Sequence, residues 1–525
     1  MRASLFAAGL AVLGLLGCAA LPPDVEDSTA RPYSDAVAAR FARPAVRYDT
    51  PAFAPGRRDY TSDAELAALL GRIAARPSAG VSVRRIVAGR SQQGVAIEAL
   101  HFARTGAAPR PRVLLIGQQH GDEPAAAEAL LVLAGELSGS PLLDRIEVLV
   151  LPRANPDGAA VGRRVAADAS DINRDHLLLR TPEAQAIAAL AREVSPAVVV
   201  DVHEHTVVGR YLEKFAAVQR HDLLLQYATT ANLPAALTQA SEDWFRRPLL
   251  DALTARGLTA EWYYTTPLAP AARHLAMGGV QPDTGRNVMG LRNAVSILLE
   301  SRGVGIGRLH FTRRVHSQVV ALRSILESAA RHADDLRSLQ AGADAEVRAS
   351  ACRGDAVVLA SQTPERRVVR FLHPDTGADL PLDVDWRSSL TLRPLIVRAR
   401  PCAYWLAADA GATVDRLRAL GLTVRRLDTA TPLVAEAYRE TGRDSGERDD
   451  VRGSIVDAGG IVRVQVALES AAPFSAPAGS FVVPLDQPLA NLALVALEPD
   501  TQNSYFAHCL LARLEQLRRV RAMPP

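Results

Sequence analysis

Of the 525 residues a single one, Lys214, is lysine, and arginine carries almost all of the positive charge. That skew reads as a base-composition bias of the source genome, so arginine abundance by itself carries no functional weight. The 60 basic and 57 acidic residues leave a formal net charge of only +3. No nucleic-acid footprint stands out of so thin a charge, and no nucleic-acid partner is expected. Cysteine is scarce as well: four residues, of which Cys352, Cys402 and Cys509 fall in the last third at a spacing that suits no zinc site. There are no internal repeats, which sets aside solenoid and array architectures.

What is present is globular. Apolar residues make up 48% of the chain and charged residues 22%, and the length implies two domains plus an N-terminal extension. Arg2 is followed by the uncharged run "ASLFAAGLAVLGLLG" and then Cys18. That run is too brief for a permanent membrane-spanning helix and reads as a secretory leader over residues 1–18. "LLGC" resembles the lipobox of bacterial lipoproteins, which implies a lipid anchor on Cys18; an ordinary signal peptide is the alternative. No aspartate stands beside the cysteine, which points to the outer membrane, facing the periplasm. In an oxidising compartment the remaining three thiols can form at most one disulfide, or they are buried apolar groups.

Residues 19–55 are rich in proline with little periodicity and read as a tether. Order begins at "YTSDAELAALLGRIAAR", where Thr61 or Ser62 can cap a helix with Leu66, Leu69, Leu70 and Ile73 on one face. "VLLIG" (113–117), "IEVLVL" (146–151), "AVVVDV" (197–202) and "AVSILLE" (294–300) read as buried strands. Between them 124–137 and 182–194 read as helices that open on a proline. The alternation predicts an α/β fold: a mixed, largely parallel central sheet with helices on both faces. A long helical stretch covers 315 to about 345. A boundary near 346 then separates a first domain, residues 56–345, from a β-rich accessory domain over 346–525 with one or two helices.

In open α/β sheets ligands bind at the carboxyl ends of strands. Here those ends deliver His120 and Glu123, then Asn155 to Gly158, then His203, then Glu300. His-x-x-Glu across a strand-to-helix turn can present both side chains to one ion, and a distant histidine completes three ligands, the pattern of catalytic rather than structural zinc. By itself His-x-x-Glu arises often by chance, and a lone turn histidine would satisfy itself locally. The second cluster, "NPDGAAVGRRVAADASDINRDH", adds the weight.

That cluster resembles the M14 zinc carboxypeptidases, the carboxypeptidase A type, in its Asn155-Pro156-Asp157-Gly158 turn, in Arg164 nine residues after Asn155, and in Asp171-Ile172-Asn173-Arg174. "VVDVHEH" and "ILLESRG" are similar to the family's segments for a third ligand and a general base, and "GRSQQGVAIEAL" (89–100) to its opening hairpin. The resemblance, over about 56–345, implies one Zn²⁺ per chain held by His120, Glu123 and His203. It implies Glu300 as the base that takes a proton from water, and Arg164 as the oxyanion's partner. Asn173 and Arg174 would hold the terminal carboxylate of a peptide, and Asp171 would orient a ligand histidine. The activity implied is removal of C-terminal residues from peptides. Alternatives are action on peptidoglycan stem peptides, or a non-catalytic envelope-binding protein on the same fold.

Each residue has a plainer alternative. Arg163 neighbours Arg164, though the spacing selects Arg164. His205 would face the same way as His203 and is read as supporting or incidental, Glu204 as structural, and Glu300 could instead pair with Arg302. The family's tyrosine, some twenty residues before the glutamate, is missing from "MGGVQPDTGRNVMGLRN". Tyr263 and Tyr264 are the nearest candidates, and Arg286 could contribute substrate contacts. The accessory region resembles the C-terminal part of some bacterial M14 lipoproteins and carries no catalytic constellation. His373, His508, Trp386 and Trp405 there read as packing or surface groups.

Overall fold

The computed structural model describes residues 31–446 and 460–522. The leader, Cys18 and the first part of the tether lie outside the described residues. Ten strands precede the long helices: β1 (Val81–Arg90), β2 (Ala96–Arg104), β3 (Arg112–Gly117), β4 (Glu147–Leu151), β5 (Val198–Thr206), β6 (Leu223–Tyr227), β7 (Ala260–Trp262), β8 (Tyr264–Thr265), β9 (Leu275–Met277) and β10 (Val295–Val304). Eight of them form one mixed sheet in the order β1-β2-β4-β3-β5-β10-β6-β7. Its centre, β4-β3-β5-β10, is parallel throughout, while β2 against β4 and β6 against β10 are antiparallel.

The central strands are continuous aliphatic runs because helices cover both of their faces. All of β4, Val198–His205 of β5 and Val295–Gly303 of β10 are buried. Side chains alternate along each strand between two cores. Val113 and Leu115 join Val198, Val200 and Leu299 on one face, and Leu114 and Ile116 join Leu149 and Val199 on the other. Each such side chain contributes roughly 1.5–3 kcal/mol on burial.

The helices begin where the sequence marks them. Ser62 caps Asp63–Ala75 in a capping box with Glu65, an arrangement worth about 1 kcal/mol. Pro124 and Pro182 open the helices Pro124–Leu137 and Pro182–Val194, the second capped by Thr181, whose hydroxyl accepts from the Ala184 N–H. The long helical stretch is two helices, Phe311–Arg331 and Ala333–Ala349, with a break at His332.

Residues 31–55 depart from the tether reading. Tyr33, Val37 and Phe41 are buried, and the Arg302 guanidinium lies 3.2 Å over the Phe41 ring. Thr50 donates to the buried Glu128 carboxylate at 2.5 Å. Prolines mask the segment's local pattern, but apolar residues four apart are enough to close a small core with Val207, Val218 and Leu309.

Position 346 falls in the last turn of Ala333–Ala349, and the chain beyond it is interleaved with the first half. β11 (Asp355–Leu372) and β12 (Asp379–Ala399) form a long antiparallel hairpin, and β12 pairs in parallel with β9 through Trp386 and Leu275. Cys352 and Cys402 form a disulfide across the hairpin's foot, leaving Cys509 exposed. The remainder holds a six-stranded sheet, a two-stranded sheet, and two helices, Gly411–Ala419 and Ala490–Leu497. Trp386 and His508 are buried, as packing groups would be.

Candidate metal centre and substrate cavity

Three adjacent strands bring the titratable groups together. His120 and Glu123 follow β3, His203 lies within β5, which runs four residues further than its aliphatic run, and Glu300 lies within β10. His120 Nδ1 is 2.8 Å from Glu123 Oε1, His203 Nδ1 is 2.8 Å from Glu123 Oε2, and the two Nδ1 atoms are 3.1 Å apart. One ligand atom from each residue lies within 4.8 Å of the others, and all three residues are buried. His120 is 3% exposed and His203 0%.

The outward nitrogens are held in turn. Asp171 Oδ1 faces His120 Nε2 at 3.2 Å, and Asp201 Oδ1 faces His203 Nε2 at 2.8 Å. With a carboxylate taking the Nε2 proton, each ring offers an unprotonated Nδ1 to the shared point. Two imidazole nitrogens and a carboxylate oxygen match the donor set of catalytic zinc, so these residues fit the ion. Burial opposes charge on Glu123, but the two histidines overcome it and hold the carboxyl well below its usual range.

Backbone geometry fixes His120 and Glu123. Asn155 accepts from the Gly158 N–H at 2.9 Å and donates to the Gln119 carbonyl at 3.1 Å, while the Gly121 N–H donates to the Arg164 carbonyl at 3.3 Å. A Cβ on Gly121 would sit 2.1 Å from the Gly158 carbonyl carbon, so the two loops nest only around glycine. The Asn-Pro-Asp-Gly turn therefore builds the scaffold and supplies no ligand. Asp157 likewise accepts from Ser91 and the Gln93 N–H.

Arg164 reaches the cluster. Its guanidinium donates to Asp171 Oδ2 at 3.0 and 3.2 Å, and its Nη1 lies 3.1 Å from His120 Nδ1. Arg163 is exposed. Asn173 is engaged in bracing: its Oδ1 accepts from the Gly285 N–H, and its Nδ2 lies 3.1 Å from His203 Nε2 and 3.4 Å from Asp201 Oδ2. Arg174 lines the cavity, as does Asn173.

Glu300 is the register partner of His203 across β10 and β5. Its carboxyl is 7% exposed, lines the cavity and has no hydrogen-bond or ion-pair partner among the described residues. Burial pushes it up to about 8. The pairing with Arg302 is not formed, because Arg302 stacks on Phe41 instead. Glu204 is structural, receiving the Arg314 guanidinium at 2.8 and 3.0 Å and the Ala125 N–H at 3.0 Å. His205 lines the cavity, its Nδ1 facing the Thr206 carbonyl, and burial lowers it to about 3.

The cavity measures about 340 Å³ and is lined by His120, Glu123, Arg164 and Glu300 together with residues of segment 263–286. Tyr264 is a core residue whose hydroxyl donates to Gln219 at 2.7 Å beneath Trp386. Tyr263 is only partly buried and lines the cavity; burial, with Glu300 next, raises its hydroxyl.

Sequence reasoning missed three supports. Asp201 is one, two residues before His203 on the same strand face, and that spacing was its only signal. Gln119 donates to Asp201 and faces His176 Nε2 at 2.7 Å. His176, at the end of "DINRDH", is lowered to about 4 by burial and is held neutral.

The model of the zinc carboxypeptidase family matches residues 67–203, a span that holds His120, Glu123, Arg164, Arg174 and His203 and stops short of Glu300. "Carboxypeptidase 2" of Trichophyton rubrum is 30% identical over 402 residues, covering 75% of this chain and 73% of that protein. The protein of the same name in Trichophyton equinum is 30% identical over 404 residues at the same coverage. These matches extend past residues 56–345 alone. "Carboxypeptidase SOL1" of Arabidopsis thaliana is 30% identical over 119 residues, 19% of this chain and 24% of that protein.

Proposed function

We infer what each side chain does from a premise the relatives supply: the chain belongs to the zinc carboxypeptidase family. It hydrolyses peptide bonds, releasing residues from the carboxyl ends of peptides. The family is a family of zinc enzymes, and the His120–Glu123–His203 cluster is the site that fits the ion.

One zinc per chain, held there, would acidify a water and polarise the scissile carbonyl. Glu300 takes the proton of the attacking water and hands it to the leaving amine; a carboxylate in a dry wall beside the ligands suits both transfers. Arg164 donates to the carbonyl oxygen as negative charge builds on it, a preorganised contribution that costs no reorientation. Arg174 takes the substrate's free terminal carboxylate, with the guanidinium's parallel donors giving direction. Asn173 closes the same corner while bracing His203. Asp171 and Asp201 keep the histidine rings in the tautomer that turns Nδ1 inward.

The observation that carries this reading is the unpartnered, buried Glu300 carboxyl beside three converging ligand atoms. A binding protein has no use for so costly an arrangement. Purified mature protein, zinc-loaded or chelated, is to be incubated with mixed peptides and products identified by mass spectrometry. Ladders shortened from the C-terminus that vanish with chelator support the reading, and untouched pools at full zinc occupancy refute it.

The chain is further proposed to be exported and held by lipid on Cys18 at the outer membrane, facing the periplasm. The lipobox-like "LLGC" supports this. Radiolabelled palmitate should enter the wild type and not Cys18→Ala; incorporation into both removes the proposal.

A further inference from the structure

The cavity wall contains a cation that meets no carboxylate among the described residues. Arg286 lies in the first turn of the helix Gly285–Leu291, is 4% exposed and lines the cavity. Its Nη2 donates to the Gly279 carbonyl at 2.8 Å, and its Nε lies 3.4 Å from Asn287 Oδ1. No carboxylate touches it among the described residues. A guanidinium has five N–H donors, so most of its capacity is unspent.

Three other buried arginines each meet a carboxylate. Arg153 meets Asp63, Arg314 meets Glu204, and Arg519 meets Glu498. Arg302 lies over the Phe41 ring with its Nε and Nη2 unbonded, and Arg400, like Arg286, has neutral partners, Asn491 and the Asp355 carbonyl. Arg286 alone among these opens onto the substrate cavity. Burial lowers it only to about 10, so it remains charged at neutral pH. A buried, uncompensated cation is costly, and the cost is understandable where a ligand supplies the anion.

The wall is built around that guanidinium. A Cβ on Gly278 would lie 2.4 Å from Arg286 Nη1 and 2.9 Å from Gln226 Oε1, so a side chain there would displace it. Gln226 accepts from the Gly278 N–H at 2.8 Å and donates to its carbonyl at 3.1 Å, and Ser389 of β12 donates to the same carbonyl at 2.7 Å. The position of the cation is therefore fixed before any ligand arrives.

We propose that Arg286 is the specificity-determining residue of this enzyme, receiving the side-chain carboxylate of an acidic C-terminal residue while Arg174 holds the α-carboxylate. The preferred released residue is then glutamate or aspartate. This rests on the carboxypeptidase reading, since only a released C-terminal residue brings two carboxylates into one cavity.

The test compares peptides identical except for a terminal Glu or Gln, which differ in charge and hardly in shape. For the zinc-loaded wild type, kcat/KM for Glu should exceed that for Gln by roughly 10- to 100-fold, the range of a hydrogen bond to a charged group. In Arg286→Met the ratio should fall to one or below, and Arg286→Lys should keep a reduced preference. Because the ratio is taken within one protein, loss of folded material cancels. Free L-glutamate should also raise the Tm of the full-length Glu300→Gln protein more than L-glutamine does, and that difference should vanish when Arg286→Met is added. Efficient release of neutral residues with glutamate disfavoured overturns the proposal and leaves the carboxypeptidase reading intact. Equal losses for Glu and Gln in Arg286→Met overturn it too, by assigning Arg286 to the α-carboxylate. Release from no peptide at all sinks both.

Discussion

Glu300 and His203 are register partners on neighbouring parallel strands, so the proposed proton acceptor and one of the residues that fit the ion face each other across one hydrogen-bonded ladder. Neither position depends on a loop. This fixes their relation more tightly than side-chain packing alone could.

Glu300→Gln keeps the shape and removes the base. The variant should bind zinc at the wild-type ratio, as read by elemental analysis, with kcat/KM lowered by about 10²–10⁴-fold. Wild-type activity in that variant would remove Glu300 from the chemistry.

The acid limb of the pH profile should report the same carboxyl. Its ordinary value is 4.5, and burial pushes it up to about 8, with His203 and Arg164 among the groups pulling it back. The active form is the ionised one, so activity falls as pH falls through the value in the loaded enzyme. A bound cation lowers that value, which places the limb between 4.5 and about 8. A flat kcat/KM over that window, measured in the zinc-loaded enzyme, contradicts the assignment.

Asp201→Asn leaves the ligands in place and removes the acceptor that orients His203. Zinc affinity should fall by roughly 10- to 100-fold, measured by competition with a chromophoric chelator. Stripping the metal from wild type should lower Tm: a ligand at 100 times its dissociation constant stabilises by roughly 2.7 kcal/mol. An unchanged Tm on adding zinc would show that the ion does not bind the folded cluster.

Arg314→Met should cost about 3–5 kcal/mol in urea unfolding, because it leaves Glu204 buried without its only cationic partner among the described residues. Glu204 is 2% exposed and also receives the Ala125 N–H at the start of the helix that follows Glu123. Replacing both, as Glu204→Leu with Arg314→Met, should recover part of the loss, and the difference between the two variants measures the unpaired charge.

Much of this site is legible from short range. His120, Glu123, His203 and Glu300 sit at the ends of aliphatic runs whose periodicity is unambiguous, and the loops between are punctuated by Asn-Pro-Asp-Gly and by prolines at helix starts. What was illegible depends on distant pairing. Tyr33, Val37 and Phe41 carry no local sign that they cover Arg302. The choice of Cys352 with Cys402 over Cys509 follows from the hairpin they close, and no spacing encodes it. β11 and β12 are interrupted by Pro364, Pro381 and Pro394, so they read as short pieces and not as one hairpin. Asp201 is illegible because an acid inside a valine run announces nothing until its contact with the His203 ring is seen.

The hairpin also separates two duties of the protein. His203 and Glu300 stand on the innermost strands and His120 and Glu123 on the loop that follows β3, whereas the cavity wall at Met277 and Gly278 leans on Gln362 and Ser389 from the second half of the chain. The role proposed for Arg286 then implies that selectivity can be retuned by altering contacts near residues 360–390, with His120, Glu123, His203 and Glu300 untouched. A protein assembled this way can change its diet without relearning how to cut.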